Sequence, residues 1–212
     1  MDSGRLEAFS DRVMAVAITL LVLDLAVAGP GHGASLAHQL YEKRWAFAAF
    51  GVSFLTIGII WVNHHNLFKN IVEVDRPMLF ANLLLLLFVV LIPFVTATLG
   101  QYLPAHGSGW SANLAAVLYC AVMEGMALSF NLVFLRGMRR GLFLVGVPPA
   151  ARHRVVVRFI IGSLVYPVAL VVAFFNAPLA LFLSLLATLY YVLEHVLPTG
   201  GAAPETDARP AA

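Results

Sequence analysis

Charge is what this sequence has least of: Asp, Glu, Lys and Arg make up 11% of its 212 residues, against about a quarter in an ordinary soluble domain. A chain so poor in charge has too little polar surface to clothe a water-soluble core. Cysteine is nearly absent as well. The lone Cys120 lies inside an apolar run and has no intrachain partner, which excludes a disulfide framework and a cysteine-based zinc site. No Gly-rich run ends in Lys followed by Ser or Thr, so a phosphate-binding loop is excluded. The "HGSG" at His106 to Gly109 is not a G-x-S-x-G elbow, and Ser10 and Asp11 are consecutive, with no room for a base between them. A serine hydrolase is excluded, and no catalytic residue is assigned. A T-V-G-Y-G filter is also missing.

What is present is oil. Hydrophobic residues are 61% of the chain and the mean hydropathy is +0.88, the signature of an integral membrane protein. A spanning helix needs roughly 20 apolar residues to cross about 30 Å of hydrocarbon. Six stretches qualify: 8–27, 45–67, 78–99, 112–135, 155–175 and 178–197. Their continuous Leu/Val/Ile/Phe/Ala runs lack period-two alternation, which argues for helices and against an outer-membrane barrel. The expected fold is therefore all-α, a single six-helix transmembrane domain over residues 1–198. A Pro/Gly/Ala-rich tail, 199–212, is expected to be disordered.

Breakers separate the spans: "AGPGHG", "DRP", "GQYLPAHGSG", "VGVPPAARHR" and "NAP", the last permitting only a tight hairpin. Span one is not read as a cleaved signal peptide, because its leader carries Asp2, Glu7 and Asp11. With six spans, 11 of the 13 Lys/Arg fall on one side of the membrane, six of them (Arg136, Arg139, Arg140, Arg152, Arg154 and Arg158) in the fourth loop; Lys43 and Arg44 are left on the other. The positive-inside rule then places both termini in the cytoplasm, at the cell's inner membrane. The basic loop is read as a topology signal touching anionic lipid rather than nucleic acid.

Polar groups inside lipid need partners. Arg5, Ser10, Asp11 and Arg12 enter span one, "NHHN" (Asn63 to Asn66) ends span two, and Asn82 opens span three; all lie at the same, cytoplasmic depth. A self-satisfying cluster is expected, with Asp11 accepting from Arg5, Ser10 and a histidine, and with Asn82 and Asn63 or Asn66 closing the remainder. Since neighbouring helix positions point about 100° apart, one of His64 and His65 is expected in the cluster and the other at headgroups or water. Each of these residues is also readable as an ordinary interfacial group. Adjacent histidines without a carboxylate pair lack metal-site spacing, so no metal and no cofactor are assigned. Glu124, mid-span in span four, stands between two readings: a functional carboxyl, or a protonated one bonded to a neighbouring helix.

On span one, Val16, Thr19, Leu20, Leu23 and Val27 share a stripe, with Thr19 as its mid-depth hydroxyl and Asp24 near the outer end. Arg5-x-x-x-Phe9-Ser10-Asp11 followed by "VMAVAITLLVLDL", together with the two span-two histidines and Asn82, resembles the bacterial relatives of the endolysosomal potassium channel family, transmembrane protein 175. The second half of the chain adds hydropathy but no motif. The resemblance implies six helices per repeat, with helix one lining a central pore. One repeat per chain implies a homotetramer. By position it implies narrow layers at Val16, Leu20 and Leu23, support from Thr19, and a pore mouth at Asp24. Arg5, Phe9, Ser10, Asp11, His64, His65 and Asn82 would hold helix one upright.

Potassium is then the permeant ion, and membrane lipids and other copies of the chain are the partners. Arg12 departs from the small residue usual after the aspartate, and Val16 is smaller than the usual Ile or Leu. The rival reading is a proton-coupled carrier using Glu124 and a span-two histidine as relay; a scaffold without transport is the third.

Overall fold

The computed structural model describes residues 3–27, 35–71, 73–106, 109–142 and 164–196. These residues are helical almost throughout. Helix α1 runs Ser3–Leu20 and continues as a 3₁₀ segment, Leu21–Leu25. After it come α2 (Leu36–Glu42), α3 (Arg44–Lys69), α4 (Arg76–His106), α5 (Trp110–Arg140), α6 (Leu164–Ala173 as described) and α7 (Ala177–Val196). Among the described residues α3, α4 and α5 are long and apolar enough to cross a membrane by length and composition, while α6 and α7 are shorter apolar helices.

The helices overrun the sequence-based boundaries where a side chain or a close contact holds them. The α1 helix begins within the polar leader, at Ser3 rather than Ala8, so Arg5 to Arg12 are helical residues and not an entrance to the helix. Helix α2, unforeseen in the first loop, is capped by Ser35, whose hydroxyl accepts from the His38 amide at 3.3 Å. Helix α4 continues through Gly100 to His106; a Cβ at Gly100 would lie 3.0 Å from Ala46, so glycine here lets α3 and α4 touch backbone to side chain rather than ending the helix.

The basic residues Arg136, Arg139 and Arg140, expected in a loop, form the last turns of α5. Gly141 ends that helix at φ +65°, a left-handed cap that glycine adopts without strain. The start of span five (155–163), Arg152, Arg154 and Arg158, and the 199–212 tail lie outside the described residues.

Helix α4 is the centre of the packing, touching α1, α3 and α5, while α7 rests on α3 and α5. A buried hydroxyl relay ties the middle together. Tyr119 of α5 donates to Ser53 of α3 (3.1 Å), Ser53 to Thr96 of α4 (2.7 Å), and Thr96 to the Ile92 carbonyl (2.7 Å). Asn113 of α5 reads both ends of the α6–α7 turn, donating to the Phe174 carbonyl (3.0 Å) and accepting from the Ala177 amide (3.2 Å). The short "NAP" hairpin is thereby locked to the bundle.

Asp75 joins the other end. One of its oxygens caps α4 by accepting from the Met78 amide at 3.0 Å, and the other accepts two bonds from Arg136, that of Nε at 2.9 Å. The Arg136 hydrogen bonds, more than the Met78 amide, hold the Asp75 carboxyl below its ordinary range. A carboxyl depressed in the folded state contributes stability above its unfolded value, about 3.9, and loses that contribution as pH falls through the folded one. Asp75→Asn, which keeps the cap and removes the charge, should therefore unfold at a lower temperature than the wild type at neutral pH. The gap should shrink below about pH 3.9. Thermal unfolding in detergent at both pH values checks this; a gap that is constant with pH contradicts the assignment.

Candidate functional site

Helix α1 presents two unlike faces. Leu6, Ser10, Met14, Ala17 and Leu21, spaced four or three apart, are buried against α3 and α4. The opposite face carries Phe9, Val16, Thr19, Leu20, Leu23 and Val27, all exposed in the single chain, with Val16 at 57% and Leu23 at 67%. Arg5 and Arg12 share that outward side. The Thr19 hydroxyl donates to its own helix, to the Val16 carbonyl at 2.8 Å. Asp24 is exposed within the 3₁₀ segment, beside an open crevice between that segment, α2, α3 and α4.

The buried side of α1 is held by hydrogen bonds at three levels. At the middle level the donors form a one-way chain: His64 Nε2–H to Asn82 Oδ1 (2.8 Å), Asn82 Nδ2 to Ser10 Oγ (2.9 Å), and Ser10 O–H to the Leu6 carbonyl (2.9 Å). The roles are assigned by necessity. Ser10 spends its proton on the carbonyl, so it accepts from the Asn82 amide, whose oxygen must then accept from the imidazole. All three side chains are fully buried. His64 Nδ1 has no hydrogen-bond partner, and the ring is stacked on Phe68 at 4.3 Å.

The other two levels come from Trp61 and His65. Trp61 Nε1 donates to Asp11 Oδ1 at 3.0 Å, and His65 Nδ1 meets Glu7 Oε1 at 2.5 Å. Trp61 and His65 are stacked on each other, one turn apart on α3, and Asp11 and Glu7 are one turn apart on α1. One step toward the end of α3 is one step back along α1, as two antiparallel helices require.

The expected cluster is therefore partly rewired. Ser10, Asp11, His64, His65 and Asn82 all contact the α1–α3–α4 junction, but Asp11 accepts from Trp61, and not from Arg5, Ser10 or a histidine. Both histidines are engaged, one through Asn82 and one through Glu7, because their 100° separation lets them face α4 and α1 respectively. Arg5 and Phe9 lie on the exposed side, away from the junction. Asn63 and Asn66 do not close it; the Asn66 carbonyl accepts from Asn70. Glu7 and Trp61 were missed, although 7/11 and 61/65 are matched i,i+4 pairs that the sequence displays.

Glu124 has one buried carboxylate oxygen with no partner, and neither histidine reaches it. Among the described residues no three His, Cys, Asp or Glu side chains gather as a metal site would require.

Residues 5–93, which contain all three levels of this junction, match the family model described as the endosomal/lysosomal potassium channel TMEM175. A potassium channel of Streptomyces collinus is 44% identical over 95% of this chain and 98% of its own length. One from Chamaesiphon minutus is 33% identical over 91% of this chain and 95% of its own. The structure is similar to the crystal structure of a lysosomal potassium-selective channel TMEM175 homolog from Chamaesiphon minutus, with a TM-score of 0.78 and 30% identity over 92% of this chain and 98% of that one. With such identity along nearly its whole length, this all-helical membrane chain belongs to the TMEM175 family.

Proposed function

We propose that the chain is a potassium-permeable channel in which several copies of α1, four by the family likeness, meet along their exposed faces and enclose the ion path. The observation that carries this reading is the asymmetry of α1. One side is tied to α3 and α4 at three levels, while the other bears Val16, Thr19, Leu20 and Leu23, all exposed in the single subunit. A helix that merely faced lipid would have no use for three levels of polar support. A rod that must hold a narrow ring in register would.

Val16, Leu20 and Leu23 then form the constriction. An aliphatic ring a few ångströms wide disfavours water and ions, and conduction waits on its widening. Once it is wide enough for a partly stripped ion, potassium passes ahead of sodium because it holds its hydration shell less tightly. Discrimination of this origin is weaker than that of a carbonyl-lined filter. Asp24 at the outer mouth raises the local cation concentration. Both termini are placed in the cytoplasm, at the inner membrane of the cell, with the basic turns near anionic lipid.

The test is ion flux in liposomes that contain only this protein. A passive current whose reversal potential follows the potassium gradient is the expected result. Saturable flux that requires a proton gradient would instead establish the carrier reading, and no flux at all the scaffold.

A further inference from the structure

The outer end of helix one is built unlike the rest. From Leu21 to Leu25 it winds as a 3₁₀ helix although "LVLDL" contains no glycine or proline to force the change. Short 3₁₀ stretches are common where an α-helix ends and have poorer hydrogen-bond geometry than the α-helix itself. Of the five side chains only Leu21 is buried. Leu21, Asp24 and Leu25 border the open crevice toward α2, α3 and α4, a cavity of about 560 Å³. Leu21 packs the segment on α3 and α4, while the side chains beyond it are part-exposed or exposed, with Asp24 and Leu25 at the crevice.

Among the described residues one side chain hydrogen-bonds across that gap. The Lys43 ammonium, at the junction of α2 and α3, donates to the carbonyl of Ala26, the residue that ends the 3₁₀ segment. Arg44, the other basic residue on this side, is engaged elsewhere. Its guanidinium bonds the Tyr41 carbonyl at 2.9 Å and lies over the Tyr41 ring at 4.3 Å. Among the described residues Lys43 thus supplies the side-chain hydrogen bond from the rest of the subunit to the end of the segment that carries Leu23.

We propose that Lys43 is a positioning residue for the outer constriction: by gripping the Ala26 carbonyl it sets where Leu23 stands. This rests on the reading of Leu23 as a constriction residue. Without the grip, the weakly wound segment has an open crevice to relax into, and the Leu23 ring loosens.

Potassium leak into liposomes tests it, with the Leu23→Ala protein as reference. Lys43→Met should raise leak several-fold without lowering assembled yield, and Lys43→Arg, which keeps a donor of similar reach, should restore the wild-type level. In the Leu23→Ala background Lys43→Met should add nothing, since the ring is already open. The increase should also persist at high salt. Charges at the mouth are screened over about 10 Å at 0.1 M and about 3 Å at 1 M, so an increase that vanishes at 1 M KCl would assign the effect to charge and overturn the proposal. Leak unchanged by Lys43→Met while Leu23→Ala raises it also overturns it. If neither variant leaks, the constriction reading itself has failed.

Discussion

Liposomes carrying Leu23→Asn are expected to lose potassium roughly tenfold or more faster than those carrying the wild type, because ~1.4 kcal/mol off a barrier is worth that factor. In the proposed pore the substitution places an amide in every copy of the ring at once. Each amide offers water the hydrogen bonds that leucine withholds, so the penalty for a wetted constriction falls once per subunit rather than once per channel. Leu20→Asn should act in the same direction. Val16→Asn should act less, because valine is the smaller side chain and would leave its proposed layer wider. The measurement is potassium-dependent flux at a fixed gradient, with assembled yield as control. Asparagine variants at all three positions that leak no more than wild type would remove these residues from the ion path.

Asn82→Leu is expected to destabilise the assembled protein by roughly 1–3 kcal/mol, the cost of leaving a buried polar group without its partner. The change removes the acceptor of His64 Nε2 and the donor of Ser10 Oγ together, at a site with no solvent access. Hydrogen bonds between membrane helices average only about 0.6 kcal/mol, because an unfolded segment in lipid finds other partners. The larger figure is expected because His64 Nδ1 already lacks a partner, and the ring would then be buried with none at all. Ser10→Ala should cost less, since His64 keeps its acceptor. Thermal unfolding in detergent and the yield of assembled protein report both. An Asn82→Leu protein as stable as wild type would mean that α1 does not depend on this chain of bonds.

The helical class, and the spans that α3, α4 and α5 fill, could be read from the sequence because lipid imposes one requirement on every residue of a span. The exceptions arose where individual contacts decide. Gly100 looks like a helix breaker but is the point where α4 passes Ala46, and Arg136 looks like loop charge but extends α5 to reach Asp75. The polar junction was visible as a shared depth of Ser10, Asp11, the two histidines and Asn82. Which group bonds which was not visible, because Asp11 could equally be served by any of four donors, and only the rotation of α3 about its axis brings Trp61 to it. The exposed stripe of α1 could be counted from periodicity. In a chain this apolar, counting alone could not separate a stripe facing its own kind from one facing lipid.

Trp61 also makes the junction optically accessible. The chain has three tryptophans, at 45, 61 and 110, and only Trp61 donates to a carboxylate of helix one while stacked on a histidine. Replacing Trp45 and Trp110 with phenylalanine would leave a single indole whose emission colour and quenching report, in real time and without a label, when the base of that helix shifts.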